Sequence, residues 1–316
     1  MNTKSDFNHC ESIYWVFTQL CNDKCDHCYN LSGPDGARIS EEECLQVIEN
    51  LPDSVDRIIL SGGEPLADKK KLYLILDNLS IKYKGNIQIM LQTNGDLMNE
   101  KVLDELILKG VSRIDIASID RYHKKKGDRI GFLKELFLSR GMTDDETKPL
   151  IEKKTYLHKD LSFGFWGAND DMWLGGNWAR GRAMEKDIWL RDPSHNFCAI
   201  LSGAIGFLGG SEKIPQEISI QLWKINPCCP GTYYPMGDAR VEKISDVLEK
   251  MSKNKIYQAL NKGEPWKMGE HLGITEEEAK NKTLELKNIC LYCDHFFQHH
   301  VKPENEMFIA LPLYQY

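Results

Sequence analysis

From residue 12 onward, short apolar runs alternate with stretches whose apolar positions recur at helical spacing. Ser12–Thr18 (SIYWVFT) predicts a strand, and Ser40–Leu51 predicts a helix. In that helix Ser40 and Glu43 stand in capping-box relation, and Cys44, Val47, Ile48 and Leu51 share one face, which places Cys44 in the core. Further strands are expected at Arg57–Leu60, Ile87–Leu91, Arg113–Ile119 and Leu161–Trp166, with helices near 68–79, 99–109 and 129–140. Repeated strand-helix units with short apolar strands imply an α/β fold with a parallel sheet, which right-handed crossovers curl toward a barrel. In such barrels the chemistry gathers at the C-terminal strand ends. The segments CNDKCDHC, SGGEP, QTNG and SIDRYH each follow a strand at that edge.

The pattern changes after about residue 190. Gly206–Pro215 is loop-like, Ile218–Ile225 reads as a strand, and Val241–Met251 reads as a short helix. Thr275 with Glu278 caps a further helix that runs up to a C-x2-C pair. Residues 1–189 are therefore expected to form the barrel, and 190–316 a second, irregular region organised around cysteines.

Composition narrows the chemistry. With 316 residues, 41% apolar, one α/β core plus an appendage is expected. No run approaches the roughly 18 apolar residues of a membrane helix, and Met1–Asn8 is polar, so the expectation is a cytoplasmic protein without a membrane partner. A net charge of -7 leaves no general basic footprint for nucleic acid, and Lys124, Lys125 and Lys126 read as a solvated loop. Ten cysteines without a secretory signal favour metal or redox chemistry over disulfides.

Cys21, Cys25 and Cys28 are spaced C-x3-C-x2-C on one loop. Three thiolates so placed can reach three corners of a 4Fe-4S cubane, leaving the fourth iron open to a small molecule. A zinc knuckle is the alternative, although zinc prefers four protein ligands and only His27 stands nearby. A sulfonium cofactor bearing an α-amino acid needs a carboxylate for its ammonium group, an aromatic face for adenine, and close backbone approach, which Gly62 and Gly63 permit because they lack a Cβ.

With these motifs in order, residues 12 to 183 resemble the radical S-adenosylmethionine superfamily. Cys21, Cys25, His27 and Cys28 match its C-x3-C-x-aromatic-C motif, with His27 in the position close to the adenine. SGGEP, with Ser61, Gly62, Gly63 and Glu64, resembles the segment that engages the methionine amino group. QTNG with Asn94, and SID with Ser118 and Asp120, resemble the strand ends that hold the ribose and carboxylate. The resemblance implies a partial (β/α)6 TIM-type barrel, a 4Fe-4S cluster, and S-adenosylmethionine cleaved reductively at that cluster, with electrons from a flavodoxin- or ferredoxin-type donor. It further implies a 5′-deoxyadenosyl radical that takes hydrogen from an unactivated carbon.

The C-terminal cysteines resemble those of the twitch-type auxiliary-cluster domain, a shortened relative of the SPASM domain. A cysteine after the barrel, a strand ending in Pro-Cys, a short helix and a closing C-x2-C pair appear in that order, and ARGRA at 179–183 resembles the preceding linker. The implied ligands of an auxiliary 4Fe-4S cluster are Cys198, Cys228, Cys290 and Cys293, with structural zinc as the alternative. Cys229 is left over, as a packed thiol, a substitute ligand for Cys228, or a hydrogen donor to a substrate radical. Asp120, Tyr122, His123, Asp170, Asp171, Arg180 and Arg182 follow strands and could face substrate or be salt-bridged; Trp166, Trp173 and Trp178 read as core or pocket wall. Similar small enzymes include an aminocyclitol dehydrogenase, neomycin epimerase and peptide epimerases. The expected activity is dehydrogenation or epimerisation of a specialised metabolite or short peptide. A peptide cross-linking maturase and a cysteine-rich redox sensor or zinc-binding regulator are the other readings.

Overall fold

The computed structural model describes residues 7–117, 122–123, 129–145, 160–166, 175–211 and 214–301. Its centre is β1 (His9–Thr18), whose Ile13, Trp15, Val16 and Phe17 are fully buried. β1 pairs in parallel with β2 (Ser54–Gly62), Trp15 facing Leu60 in register. β3 (Gln88–Thr93), β4 (Val111–Ala117) and β6 (Ser162–Trp166) continue the parallel sheet on that side, and the two-residue β5 (Thr143–Asp144) closes its edge. The helices α1 (Glu41–Asn50), α2 (Lys69–Tyr83), α3 (Glu100–Leu108) and α4 (Arg129–Leu138) lie between successive strands. In α1 the Ser40–Glu43 capping box forms, and Cys44, Val47 and Ile48 are buried as the periodicity requires. The sheet stays open, a partial barrel of the α/β class.

The C-terminal residues join this same sheet. β7 (Glu217–Gln221) pairs in parallel with the free edge of β1, Ile13 opposite Ile218, and carries β8 (Lys224–Asn226) and β9 (Gly237–Asp238) beyond it. Arg57 on β2 spans the join: its guanidinium donates to Ser12 Oγ at 3.0 Å and reaches Glu217 Oε2 at 3.5 Å, all three residues being buried. The Trp15 indole donates to the Leu222 carbonyl at 2.8 Å. One hydrophobic cluster runs from Phe7 to Phe297, so the sheet and the apolar core cross residue 190 without a break.

Two expected elements are corrected. Ile218–Ile225 is not one strand but an antiparallel hairpin, β7 and β8, turning at Leu222, whose φ of 59° is left-handed. Its N–H is captured by the Val16 carbonyl at 2.7 Å, and Trp223 stacks under the Arg240 guanidinium at 4.1 Å, so tertiary contacts impose the turn. The helix capped by Thr275 ends before the C-x2-C pair, because Lys287 enters the left-handed region (φ 61°) and stops it as α8 (Glu276–Leu286). Asn288 then caps a new helix, α9 (Ile289–His300), and its side chain accepts from Cys290 N at 2.8 Å, which puts Cys290 in the first turn. Between these segments lie α5 (Gly181–Glu185), α6 (Ile244–Ser252) and α7 (Lys255–Asn261).

Candidate active site

The C-terminal ends of β1, β2 and β3 surround one cavity, which Cys21, Cys25 and Cys28 share with Ser61, Gly62, Gly63, Asn94 and His27. The cysteine loop is shaped by its own backbone. Gly33 N–H donates to the Gln19 carbonyl and Cys21 N–H to the Gly33 carbonyl, at 3.0 and 2.9 Å, which closes the loop between Cys21 and Gly33. Burial pushes the Cys21 thiol up to about 11 and raises Cys25 further, with Asp23 adding to it. Both thiols therefore carry hydrogen in the metal-free chain and would lose it on binding a metal.

The GGE segment docks on that loop from the side. Gly63 and Glu64 N–H groups donate to the Thr18 and Leu20 carbonyls, both at 2.8 Å. A Cβ on Gly62 would stand 2.6 Å from the Thr18 carbonyl oxygen, and one on Gly63 2.5 Å from that of Leu20. The absent Cβ atoms thus serve the protein's own backbone contact at the wall of the cavity, which both glycines line. Glu64 binds the protein's own backbone and side chains in the same way. It is fully buried, and its carboxylate accepts from Thr93 Oγ1 at 2.6 Å, Asn94 N at 2.7 Å and Leu66 N at 3.0 Å. These three donors let it tie the GGE and TNG turns together, and burial holds its carboxyl above the usual range. Asn94, held by Glu64, turns its side chain to Asn22 Oδ1 at 3.0 Å and toward the Cys21 sulfur at 4.0 Å.

Arg182 and Gly181 hold the cysteine loop from the far side. Arg182 donates to the Cys25 carbonyl at 2.8 Å and to the Ser32 carbonyl at 2.6 Å. Gly181, at φ 51°, lies so close that a Cβ would meet the Tyr29 carbonyl oxygen at 2.4 Å. The ARGRA segment is therefore a clamp on the loop. His27 stacks on Tyr122 with ring centroids 4.9 Å apart, while His123, 1% exposed, sits 3.8 Å from the Cys25 sulfur. Ser118, Asp120, Asp170, Asp171, Trp173, the Lys124–Lys126 run and the side chain of Trp166 lie outside the described residues; Trp178 lines the cavity as expected of a wall residue.

The adjacent cysteines 228 and 229 point to different neighbours. Cys229 lines the cavity, 3.1 Å from the Tyr29 hydroxyl. Tyr14 stands beside both and hydrogen-bonds Ser61 Oγ and Gln92 Oε1, each at 2.8 Å. Burial pushes the Cys229 thiol up to about 12, so its sulfur keeps its hydrogen at neutral pH. Cys228 instead belongs with Cys198, Cys290 and Cys293, whose charged forms would repel one another. Burial raises all four thiols, Cys290 to about 11, and the buried Arg180 guanidinium draws each back down. Arg180 is fixed there by Asp294 Oδ1 at 2.8 Å and the Cys290 carbonyl at 3.3 Å. Sequence reasoning missed Tyr14 and Tyr29, which stand in no local pattern that distinguishes them from strand or loop residues, and did not single out Asp23 within CNDKCDHC or Gln92 within QTNG.

Comparison with known proteins gives this geometry its context. Residues 15–152 match the Radical SAM superfamily. An uncharacterized protein of Archaeoglobus fulgidus is 30% identical over 114 residues, 35% of this chain and 26% of that protein. GTP 3',8-cyclase of Campylobacter jejuni is 30% identical over 113 residues, 34% of each chain. The chain thus aligns with only 26% to 34% of the length of these relatives. Among solved structures, BtrN in complex with AdoMet and 2-DOIA is 16% identical, with a TM-score of 0.48 over 84% of this chain and 90% of that one. Among the described residues, no helix is long and apolar enough to cross a membrane.

Proposed function

We propose that this chain, a radical SAM enzyme whose residues 15–152 carry the superfamily domain, inverts a carbon centre of a specialised metabolite or short peptide. The family implies a 4Fe-4S cluster and S-adenosylmethionine, and the donor set fits: three thiols on one backbone-closed loop border a cavity that also reaches Ser61, Asn94 and His27. When bound, cluster and cofactor supply the one-electron chemistry that removes a hydrogen atom from carbon.

The observation that carries inversion is Cys229, which lines the same cavity as Cys21, Cys25 and Cys28 and whose thiol burial keeps protonated. A substrate held between them would lose hydrogen on one face and regain it from Cys229 on the other. The S–H bond breaks, a C–H bond forms, and the sulfur radical is reset by one electron from a flavodoxin- or ferredoxin-type partner and one proton from solvent. Cys198, Cys228, Cys290 and Cys293, gathered around Arg180, are the ligands of an auxiliary 4Fe-4S cluster in this reading.

The test is isotopic. Anaerobically reconstituted protein, reduced and supplied with S-adenosylmethionine, is screened against aminocyclitols and short peptides in deuterated water. The expected product has unchanged mass in ordinary water and carries one deuterium at the inverted carbon in deuterated water. A product lighter by two hydrogens makes the reaction a dehydrogenation and removes the donor role of Cys229.

A further inference from the structure

His123 closes a cluster of donors of which the cofactor reading uses only Cys25. Its Nδ1 lies 3.8 Å from the Cys25 sulfur and 3.5 Å from Asp23 Oδ2, and the Cys25 sulfur is 3.4 Å from the same carboxylate oxygen. A tetrahedral ion with Zn–S of about 2.3 Å, Zn–N of about 2.05 Å and Zn–O of about 2.0 Å would set these edges at roughly 3.5, 3.3 and 3.5 Å. The triangle already has that size in the chain, within the few tenths of an ångström that a bound ion would draw in.

The opposite side of the ring supplies a second, independent observation. His123 Nε2 lies 3.2 Å from Asp96 Oδ2, so in the tautomer that carries its N–H there the ring donates to the carboxylate and turns the Nδ1 lone pair toward Cys25 and Asp23. Asp96 is in turn held by Asn22 Nδ2 at 2.9 Å and by the Arg129 guanidinium. A metal-bound imidazole is oriented in this way, by a carboxylate on its other nitrogen. All three donors border the cavity, which leaves a fourth position for a small ligand.

We propose that Asp23, Cys25 and His123, with Asp96 behind the imidazole, form a mononuclear site for a first-row divalent ion of the zinc or ferrous kind in the chain that lacks its cluster. The Cys25 thiol gives up its proton on binding, and the resulting thiolate and the Asp23 carboxylate balance the two charges of the ion. The mixed oxygen, nitrogen and sulfur set suits a borderline ion rather than calcium or magnesium. Because the Cys25 sulfur is shared, the ion and a cluster on Cys21, Cys25 and Cys28 exclude one another. The site is thus a holding state that precedes cluster assembly, and one that excess zinc blocks.

Cobalt(II) titration of the full-length chain, free of iron and sulfide, tests this by absorption, with circular dichroism checking the fold of each variant. Cobalt bound at the C-terminal thiols is a constant background. His123→Gln and Asp23→Asn should each remove one equivalent of thiolate-bound cobalt per chain, Asp96→Asn should weaken that equivalent by about 10–100-fold, and Cys21→Ala should retain it. Zinc added beforehand should slow iron uptake by Cys21, Cys25 and Cys28 more in the unaltered chain than in His123→Gln. Undiminished cobalt uptake in His123→Gln, or loss in Cys21→Ala equal to that in His123→Gln, overturns the site and assigns the metal to the three cysteines instead.

Discussion

The Tyr29 hydroxyl lies 3.1 Å from the Cys229 sulfur although 200 residues separate them in sequence. Trp178 packs edge-on against the Tyr29 ring with centroids 4.8 Å apart, so the phenol is fixed by packing as well as by its hydrogen bond. Tyr29→Phe keeps the ring and removes the hydroxyl. Its cost should be about 1 kcal/mol in a urea titration, the net worth of one hydrogen bond. In the deuterium assay, the variant should still label its product, but accumulate it about tenfold more slowly if the phenol helps to reset the sulfur, an effect of about 1.4 kcal/mol.

Glu64 joins the GGE and TNG turns through its carboxylate. Glu64→Ala would strand the buried donors of Thr93, Asn94 and Leu66, each costing about 1–3 kcal/mol. The urea midpoint should fall accordingly, and iron uptake at the first site should fall with it, because Asn94 loses its hold beside Cys21. A variant with full stability but weakened S-adenosylmethionine binding would return Glu64 to the cofactor's ammonium group.

Gly181→Ala places a methyl group on a residue at φ 51° and against the Tyr29 and Cys28 carbonyl oxygens, at 2.4 and 2.6 Å. Backbone must move, and the backbone that moves carries Cys28. Reconstituted Gly181→Ala should lose about four of about eight irons, the loss coming from the site on Cys21, Cys25 and Cys28. Full iron content measured by chelation would show that the clamp is not needed.

The Arg57–Glu217 pair is buried on both sides, 0% and 7% exposed, and Glu217 also accepts from Ser12 and Ser202 at 3.1 and 3.2 Å. Removing one partner leaves the other charge buried, so Glu217→Ala should cost about 3–5 kcal/mol, and a paired apolar replacement of Arg57 and Glu217 should recover most of it. Denaturant midpoints of the single and double variants decide this.

Much of the barrel was legible because its signals are local. The Ser40–Glu43 capping box and the apolar face of Cys44, Val47 and Ile48 lie within one helix, and the three cysteines of the first site lie within one loop. What was not legible depends on partners distant in sequence. Leu222 and Trp223 are apolar and carry no turn signal, yet Val16 and Arg240 bend the chain there. Lys287 is an ordinary helix former, and only the Asn288 cap that follows marks the break. β5 has two residues and no apolar run to betray it. His123 reaches Cys25 across 98 residues, a distance over which no periodicity speaks.

The pairing of β7 with β1 also sets a clock. A ribosome adds roughly 5–20 residues each second, so the cysteine loop is made long before its enclosure. Arg182, which grips the Ser32 carbonyl, comes 150 residues later, and Cys229 follows Tyr29 by 200. For about 10–40 s at that pace, Cys21, Cys25 and Cys28 wait without the clamp and the wall that later seal them. That interval is when delivery proteins have the freest access to the loop, and when stray metal and oxygen have it too.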